Sequence, residues 1–188
     1  MKIERVSIKD AKELLEIYTP YVTDTAITFE YEVPSLQEFE SRIKNISSKF
    51  PYIKAISDDG TILGYAYAST FKGRAAYDWS VESTVYVKED EKRNGVGSAL
   101  YETLENSLKG MGILNVNACI AYLKEGDVDK HLTNDSFYFH EKKGYKLVGT
   151  FHDSGFKFGK WYDMIWMEKM LGEHPKAPEK VSFGNWQI

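Results

Sequence analysis

The fold is decided by residues 85–100, which read VYVKEDEKRNGVGSAL. The Val-Tyr-Val segment predicts the end of a strand, and a charged loop follows it. Leu100, Leu104 and Leu108 then recur every four residues, which predicts a helix that begins at the glycines. Free backbone N–H groups at a helix start, with the positive end of its dipole, suit an anion such as a pyrophosphate.

The glycine spacing excludes two nucleotide-binding motifs. There is no Gly-Lys-Ser/Thr for a P-loop and no third glycine for a dinucleotide fingerprint. Taken alone, Gly95-Val96-Gly97 leaves two interpretations open, an anion site or a turn that only starts a helix.

The predicted elements outside this stretch fit one domain. Ser35-Leu36-Gln37-Glu38 has the form of a capping box, and Asp58-Asp59-Gly60-Thr61 is typical of a hairpin turn. We predict helices over 9–22, 36–48 and 135–143, and strands over 2–7, 52–57, 62–70, 79–87, 115–121, 146–151 and 161–169. The order β-α-α-β-β-β-α-β-α-β-β predicts an α/β (α+β) fold, in which helices flank a mixed, mostly antiparallel sheet. The domain is expected to span 1–171, with an extended tail over 172–188.

Composition limits the kinds of partner. The 24 Lys and Arg against 28 Asp and Glu give a net charge of −4, which weighs against a general nucleic-acid binder. The start of the chain lacks a signal-peptide pattern, and no apolar stretch reaches the ~18 residues of a membrane helix. We therefore expect a cytoplasmic protein with no membrane partner.

Cysteine and histidine give no sign of a metal or a disulfide. Cys119 is the one cysteine, and its apolar run predicts a buried side chain rather than a nucleophile. His131, His140 and His152 lack ligand spacing and nearby cysteines, so no metal is expected.

Strand, basic loop, Gly-x-Gly and long helix together resemble the acetyl-CoA motif of the GNAT superfamily of N-acetyltransferases, with Lys92 in place of its usual Gln or Arg. Residues 71–87, FKGRAAYDWSVESTVYV, resemble more specifically the phosphinothricin acetyltransferase family. Further similar segments are 27–30 (ITFE), 140–145 (HEKKGY) and 155–163 (GFKFGKWYD). The resemblance covers about residues 2–170 and is weakest over 122–133, where this chain carries an insertion.

The resemblance implies roles for individual residues. Glu82 would be the catalytic base, although a strand Glu in a surface ion pair is the alternative. His140 would act as acid, proton relay or CoA-orienting group, or be structural. Acetyl-CoA would be held by Val85, Tyr86, Val87, Arg93, Asn94, Gly95, Val96, Gly97 and Ser98, and the substrate by Phe29, Lys72, Arg74 and Tyr77. For Tyr86 a core position is equally open, and Lys72 and Arg74 could form a solvated basic turn.

The implied activity is acetyl transfer from acetyl-CoA to a small-molecule amine, directly in a ternary complex. Phosphinothricin, methionine sulfoximine and methionine sulfone represent the expected substrate type, and a homodimer is the expected assembly. Two alternatives are an N-acetyltransferase of polyamines or protein amines, and a non-catalytic acyl-CoA-binding regulator.

Overall fold

The computed structural model describes residues 1–188. Its four helices are α1 (Ala11–Thr23), α2 (Leu36–Ser47), α3 (Val96–Gly110) and α4 (Asp135–Lys142). Its seven strands are β1 (Lys2–Arg5), β2 (Tyr52–Ile56), β3 (Ile62–Thr70), β4 (Ser80–Val87), β5 (Asn115–Tyr122), β6 (Lys146–Lys157) and β7 (Lys160–Met170). The predicted element order is confirmed.

The strands form one sheet with the order β1-β2-β3-β4-β5-β7-β6. The pairs β1–β2, β2–β3, β3–β4 and β6–β7 are antiparallel. The mostly antiparallel sheet with flanking helices is therefore confirmed. By its contacts the chain divides into two compact units, one comprising residues 1–17, 34–116 and 170–188, the other residues 18–33 and 117–169.

In the first unit, helices pack on both faces of strands β1–β4. On one face, α3 buries Leu100, Leu104 and Leu108 completely, as their spacing predicts. On the other face, Phe39 of α2 meets the Tyr65 ring of β3 edge-on, with 6.5 Å between ring centroids. This second face carries the aromatic side chains of Tyr52, Tyr65, Tyr67 and Tyr86.

After Met170 the chain has no helix or strand and returns to the first unit. The amide of Ser182 donates to the Met111 carbonyl at 2.9 Å, and that of Gly184 to the Lys49 carbonyl at 2.9 Å. Trp186 is buried, with the Arg5 guanidinium 4.0 Å above its ring. These contacts fix the path of the last residues.

In the second unit, an apolar cluster anchors the segment before α2 and residues 122–133. Its members are buried and come from distant parts of the chain, namely Ala26, Ala121, Leu123, Leu132 and Tyr162, with Phe29 packed against them. The Asn134 side chain bonds both backbone groups of Leu123, at 2.9 and 3.0 Å, and so joins the two ends of this segment. Residues 122–133, predicted to be an insertion, thus pack as part of this unit.

Two local expectations are wrong and a third holds only in part. The capping box forms only in part, because Ser35 accepts from the Glu38 amide while the Glu38 carboxylate bonds Arg42, one turn further on. Cys119 is exposed rather than buried, although its neighbours on β5 are buried. Strand β6 continues to Lys157, beyond the predicted end at Phe151, because its pairing with β7 resumes after an irregularity between Phe151 and Gly155.

Candidate active site

Glu82 is placed by the alternation of β4. Its neighbours Val81 and Ser83 are buried, and the Ser83 hydroxyl lies 3.2 Å from the Tyr101 hydroxyl of α3. Glu82 therefore points to the opposite face of the sheet, where it stands across from Ser69 in the register with β3. The side chain is half-buried.

This position perturbs the acidity of Glu82. Burial raises the pKa of its carboxyl, because the charged form loses hydration, and the positive charge of Lys72 acts in the opposite direction. A carboxylate with a raised pKa is a better proton acceptor, and such shifts are characteristic of functional sites. A surface ion pair, the alternative for Glu82, would by itself lower this pKa, so burial is the larger of the two effects here.

A cleft of about 230 Å³ lies beside this strand. It brings together three of the four residues predicted to hold the substrate, Lys72, Arg74 and Tyr77. Ser80, which lies two residues before Glu82 and on the same face of β4, also lines the cleft. Lys72 connects the two features, since it lines the cleft and its charge acts on Glu82.

The cleft also contains residues that sequence reasoning missed, namely Lys49, Phe50 and Phe183. Lys49 and Phe50 follow α2, and Phe183 comes from the C-terminal segment. No motif marks these positions. They join the cleft through contacts between parts of the chain that are more than a hundred residues apart.

The glycine loop precedes α3, as expected. Gly95 is the residue before the helix and has a φ of 85°, a left-handed conformation that glycine adopts without strain. As a glycine, Gly95 has no side chain with which to cap the first turn of α3, which begins at Val96. Arg93 also has a positive φ, of 68°, so the loop is sharply turned on both sides of Asn94.

Some polar side chains of this loop are held within it. The Asn94 side-chain amide donates to the Glu91 carboxylate at 3.1 Å, and the Lys92 ammonium lies 3.9 Å from the Glu89 carboxylate. On the preceding strand, Val85 and Val87 pair with Ala66 and Gly64 of β3.

For Tyr86 the sequence leaves two positions possible, in the core or in the cleft. Its side chain is half-buried on the aromatic face of the sheet. Its ring lies 5.5 Å from that of Tyr65. The residue does not line the cleft that contains Lys72.

His140 belongs to the second unit, where only 4% of it is exposed. Its Nδ1 lies 2.7 Å from the Ser136 carbonyl, so Nδ1–H is the donor and Nε2 is the acceptor of the neutral ring. Burial lowers the pKa of His140 to about 4, against the smaller effect of this hydrogen bond. The imidazole is therefore neutral at neutral pH.

Phe29 also belongs to the second unit. Its ring centroid is 6.4 Å from that of Tyr162. A Cβ at Gly155 would come within 2.3 Å of the Phe29 ring, so only glycine at position 155 leaves room for it. The segment before Phe29 is tied to Lys157, which is 3% exposed and donates to the carbonyls of Val22, Thr25 and Thr28 at 2.7, 2.8 and 2.8 Å.

The remaining side chains give no metal centre. No group of three or more His, Cys, Asp or Glu residues is arranged to hold an ion. None of the four helices has the length and apolar character needed to cross a bilayer.

Comparison with known proteins now identifies the family. Residues 3–166 match the model of the acetyltransferase (GNAT) domain. The chain is 32% identical to phosphinothricin N-acetyltransferase of Streptomyces viridochromogenes, over 96% of this chain and 93% of that protein. It is 24% identical to an L-methionine sulfoximine/L-methionine sulfone acetyltransferase of Pseudomonas paraeruginosa, over 94% and 98%.

A solved structure agrees with these sequence relatives. The phosphinothricin acetyltransferase of Sinorhizobium meliloti, in complex with AcCoA, superposes with a TM-score of 0.84 at 27% identity and covers 98% of both chains. The chain belongs to the GNAT family and is an N-acetyltransferase.

Proposed function

We propose that this enzyme transfers the acetyl group of acetyl-CoA directly to the amine of a small amino-acid-like substrate. The observation that carries the proposal is the half-buried Glu82, with its raised pKa, beside a cleft lined by Lys72 and Arg74. Relatives named for phosphinothricin and for methionine sulfoximine or sulfone support the substrate class. These molecules all combine an amine with anionic or strongly polar groups.

The loop Arg93–Ser98 is suited to the pyrophosphate of acetyl-CoA. The first backbone N–H groups of α3 have no partner within the helix and lie at the positive end of its dipole. Gly95, the residue before the helix, has no side chain with which to cap them. Gly95 and Gly97 lack side chains that would block close approach. The backbone of Val85–Val87 would hold the rest of the cofactor. When bound, acetyl-CoA supplies an activated thioester carbonyl.

Glu82 would accept a proton from the substrate. An aliphatic ammonium has a pKa near ~10, so the amine is protonated at neutral pH and must lose a proton before it attacks. A backbone amide near Val85 or Val87 would polarise the carbonyl that is attacked. Lys72 and Arg74 would hold the carboxylate, and Tyr77 would contact the body of the substrate.

His140 fits an accepting role better than a donating one. A ring with a pKa of about 4 carries almost no proton to give to a departing thiolate at neutral pH. Since Nδ1–H donates to the Ser136 carbonyl, Nε2 carries the lone pair of the neutral ring. We therefore assign it to orienting or relaying rather than to general acid catalysis.

The test is a thiol-release assay with acetyl-CoA against methionine sulfone, methionine sulfoximine, spermidine and a peptide with a free N-terminus. We expect the first two to be the better substrates, with intersecting initial-velocity lines as a ternary complex requires. Parallel lines would indicate an acyl-enzyme. Preference for spermidine or for the peptide would overturn the substrate class.

A matched pair of variants tests the base. Glu82→Gln keeps the shape and removes the basicity, so kcat should fall by roughly 10²- to 10⁴-fold. Glu102→Gln, at an exposed position of α3, should leave kcat unchanged. Wild-type turnover of Glu82→Gln at neutral pH would exclude Glu82 as the base.

The proposal includes a homodimer, and the surface of β6 supports it. This strand lies at the edge of the sheet, and Leu147, Val148, Phe151 and Phe156 are exposed on it. Edge strands with apolar side chains readily pair with another chain. Sedimentation equilibrium should show a dimer, and Phe151→Glu should weaken it. A monomer at micromolar concentration would contradict this part.

A further inference from the structure

The C-terminal segment holds one aromatic ring in a fixed position. Phe183 lies between two residues whose amides are both bound to the first unit, Ser182 to Met111 and Gly184 to Lys49. Gly184 has a φ of 73°, and a Cβ there would lie 2.9 Å from the Ser48 carbonyl oxygen. The backbone on both sides of Phe183 is therefore set without help from a ligand.

The Phe183 ring is held but not covered. It meets the Phe50 ring edge-on, with 5.5 Å between centroids, yet 39% of the residue remains exposed. Both rings line the cleft that contains Lys72 and Arg74. A rigid, partly exposed aromatic surface in a cleft is available for contact with an apolar part of a ligand.

The charged residues that line the cleft indicate which other chemical groups such a ligand would carry. Lys49, Lys72 and Arg74 contribute three cations, and Asp78 is the one carboxylate among the lining residues. The lining thus carries an excess of two positive charges beside the rings of Phe50, Tyr77 and Phe183. Such a lining fits a molecule with an anionic group and a short apolar chain.

The segment that carries Phe183 lies outside the matched acetyltransferase domain, which ends at residue 166. One of the residues that line the cleft, Phe183, therefore lies beyond that domain.

We infer that Phe183 is a specificity-determining residue, which contacts the apolar side chain of the amine substrate and, with Lys49, completes the cleft. This inference rests on the proposed function, because it identifies the cleft as the substrate site. Amino acids with an apolar portion, such as methionine sulfone, should be preferred over serine for this reason.

The kinetic test compares Phe183→Ala with Phe183→Leu and with Ile188→Ala, an exposed residue of the same segment. Phe183→Ala should raise KM for methionine sulfone by roughly 10-fold, as expected for the loss of one partly buried aromatic contact. The values of kcat and of KM for acetyl-CoA should stay unchanged. Phe183→Leu should recover most of the loss, and Ile188→Ala should behave as wild type.

A second measurement separates failure of this inference from failure of the proposed function. Calorimetric titration of methionine sulfone into the wild type and Phe183→Ala, without acetyl-CoA, reports on the cleft alone. Weaker binding to the variant supports the inference even if the wild type acetylates no amino acid. Equal affinities, or an unchanged preference between methionine sulfone and serine, would overturn it.

Discussion

Removing the titration of His140 should make the protein less sensitive to acid. The variant is His140→Asn, whose amide can replace the Nδ1–H donor to the Ser136 carbonyl but takes up no proton. Burial lowers the pKa of His140 from its usual 6.5 to about 4 in the folded protein. The unfolded chain therefore binds a proton at a higher pH than the folded chain does.

The sign and size of the effect follow from that difference. Above pH 6.5 the ring is neutral in both states and costs nothing. As the pH falls from 6.5 toward about 4, only the unfolded state gains the proton, so stability is lost. One pH unit corresponds to about 1.4 kcal/mol, so the wild type should lose about 2 kcal/mol through this group by pH 5 and about 3 kcal/mol in all.

Urea unfolding followed by tryptophan fluorescence, at pH 8 and pH 5, measures the free energy of unfolding. The wild type should lose about 2 kcal/mol more than His140→Asn between these pH values, because all other groups titrate alike in both proteins. His174→Asn, at an exposed histidine, should follow the wild type. Parallel behaviour of the wild type and His140→Asn would refute the buried, neutral imidazole.

Three further variants test separate parts of the site. Ser98→Asp places a carboxylate in the first turn of α3, which should stabilise the fold by about 0.5 kcal/mol. In calorimetry the same variant should bind acetyl-CoA roughly 10-fold more weakly, because the carboxylate repels the pyrophosphate, whereas Ser98→Asn should bind acetyl-CoA as the wild type does. Lys157→Met leaves three backbone carbonyls without their buried donor, so the free energy of unfolding, measured in urea, should fall by about 3 kcal/mol. Lys146 is exposed, so Lys146→Met should not change this free energy. Arg74→Ala should lower kcat/KM for methionine sulfoximine by roughly 10- to 100-fold without lowering kcat/KM for spermidine. Equal losses for both substrates would contradict the role of Arg74 in binding an anionic group.

Elements with a strong local pattern could be predicted from the sequence. The spacing of Leu100, Leu104 and Leu108 predicts which face of α3 is buried. The helix ends at Gly110, and Gly112 follows it with a φ of 89°. The acidity of Glu82 could not be predicted in this way. The sequence shows that it is a glutamate on a predicted strand, but its raised pKa depends on how much water the neighbouring residues exclude.

Expectations failed where the outcome depends on distant residues. An apolar run around Cys119 predicts burial, but the sequence cannot show which side of β5 stays uncovered, and this side chain is exposed. Glu38 could bond the Ser35 amide or the Arg42 guanidinium, and the ion pair one turn on is the one that forms. The cleft residues Lys49 and Phe183 belong to no sequence motif. They lie together only because the chain after Met170 returns to the first unit, which the sequence does not show.

The positive charges of Lys72 and Arg74 would affect both substrate binding and the acidity of the substrate amine. A carboxyl with a raised pKa is still far more acidic than a free ammonium near ~10, so Glu82 alone cannot favour deprotonation of the amine. Lys72 and Arg74, which line the cleft, would lower the pKa of a substrate ammonium held beside them, because like charges disfavour its charged form. Lys72 also lowers the pKa of Glu82, so Arg74 is the cation that would help the amine release its proton without making Glu82 less basic.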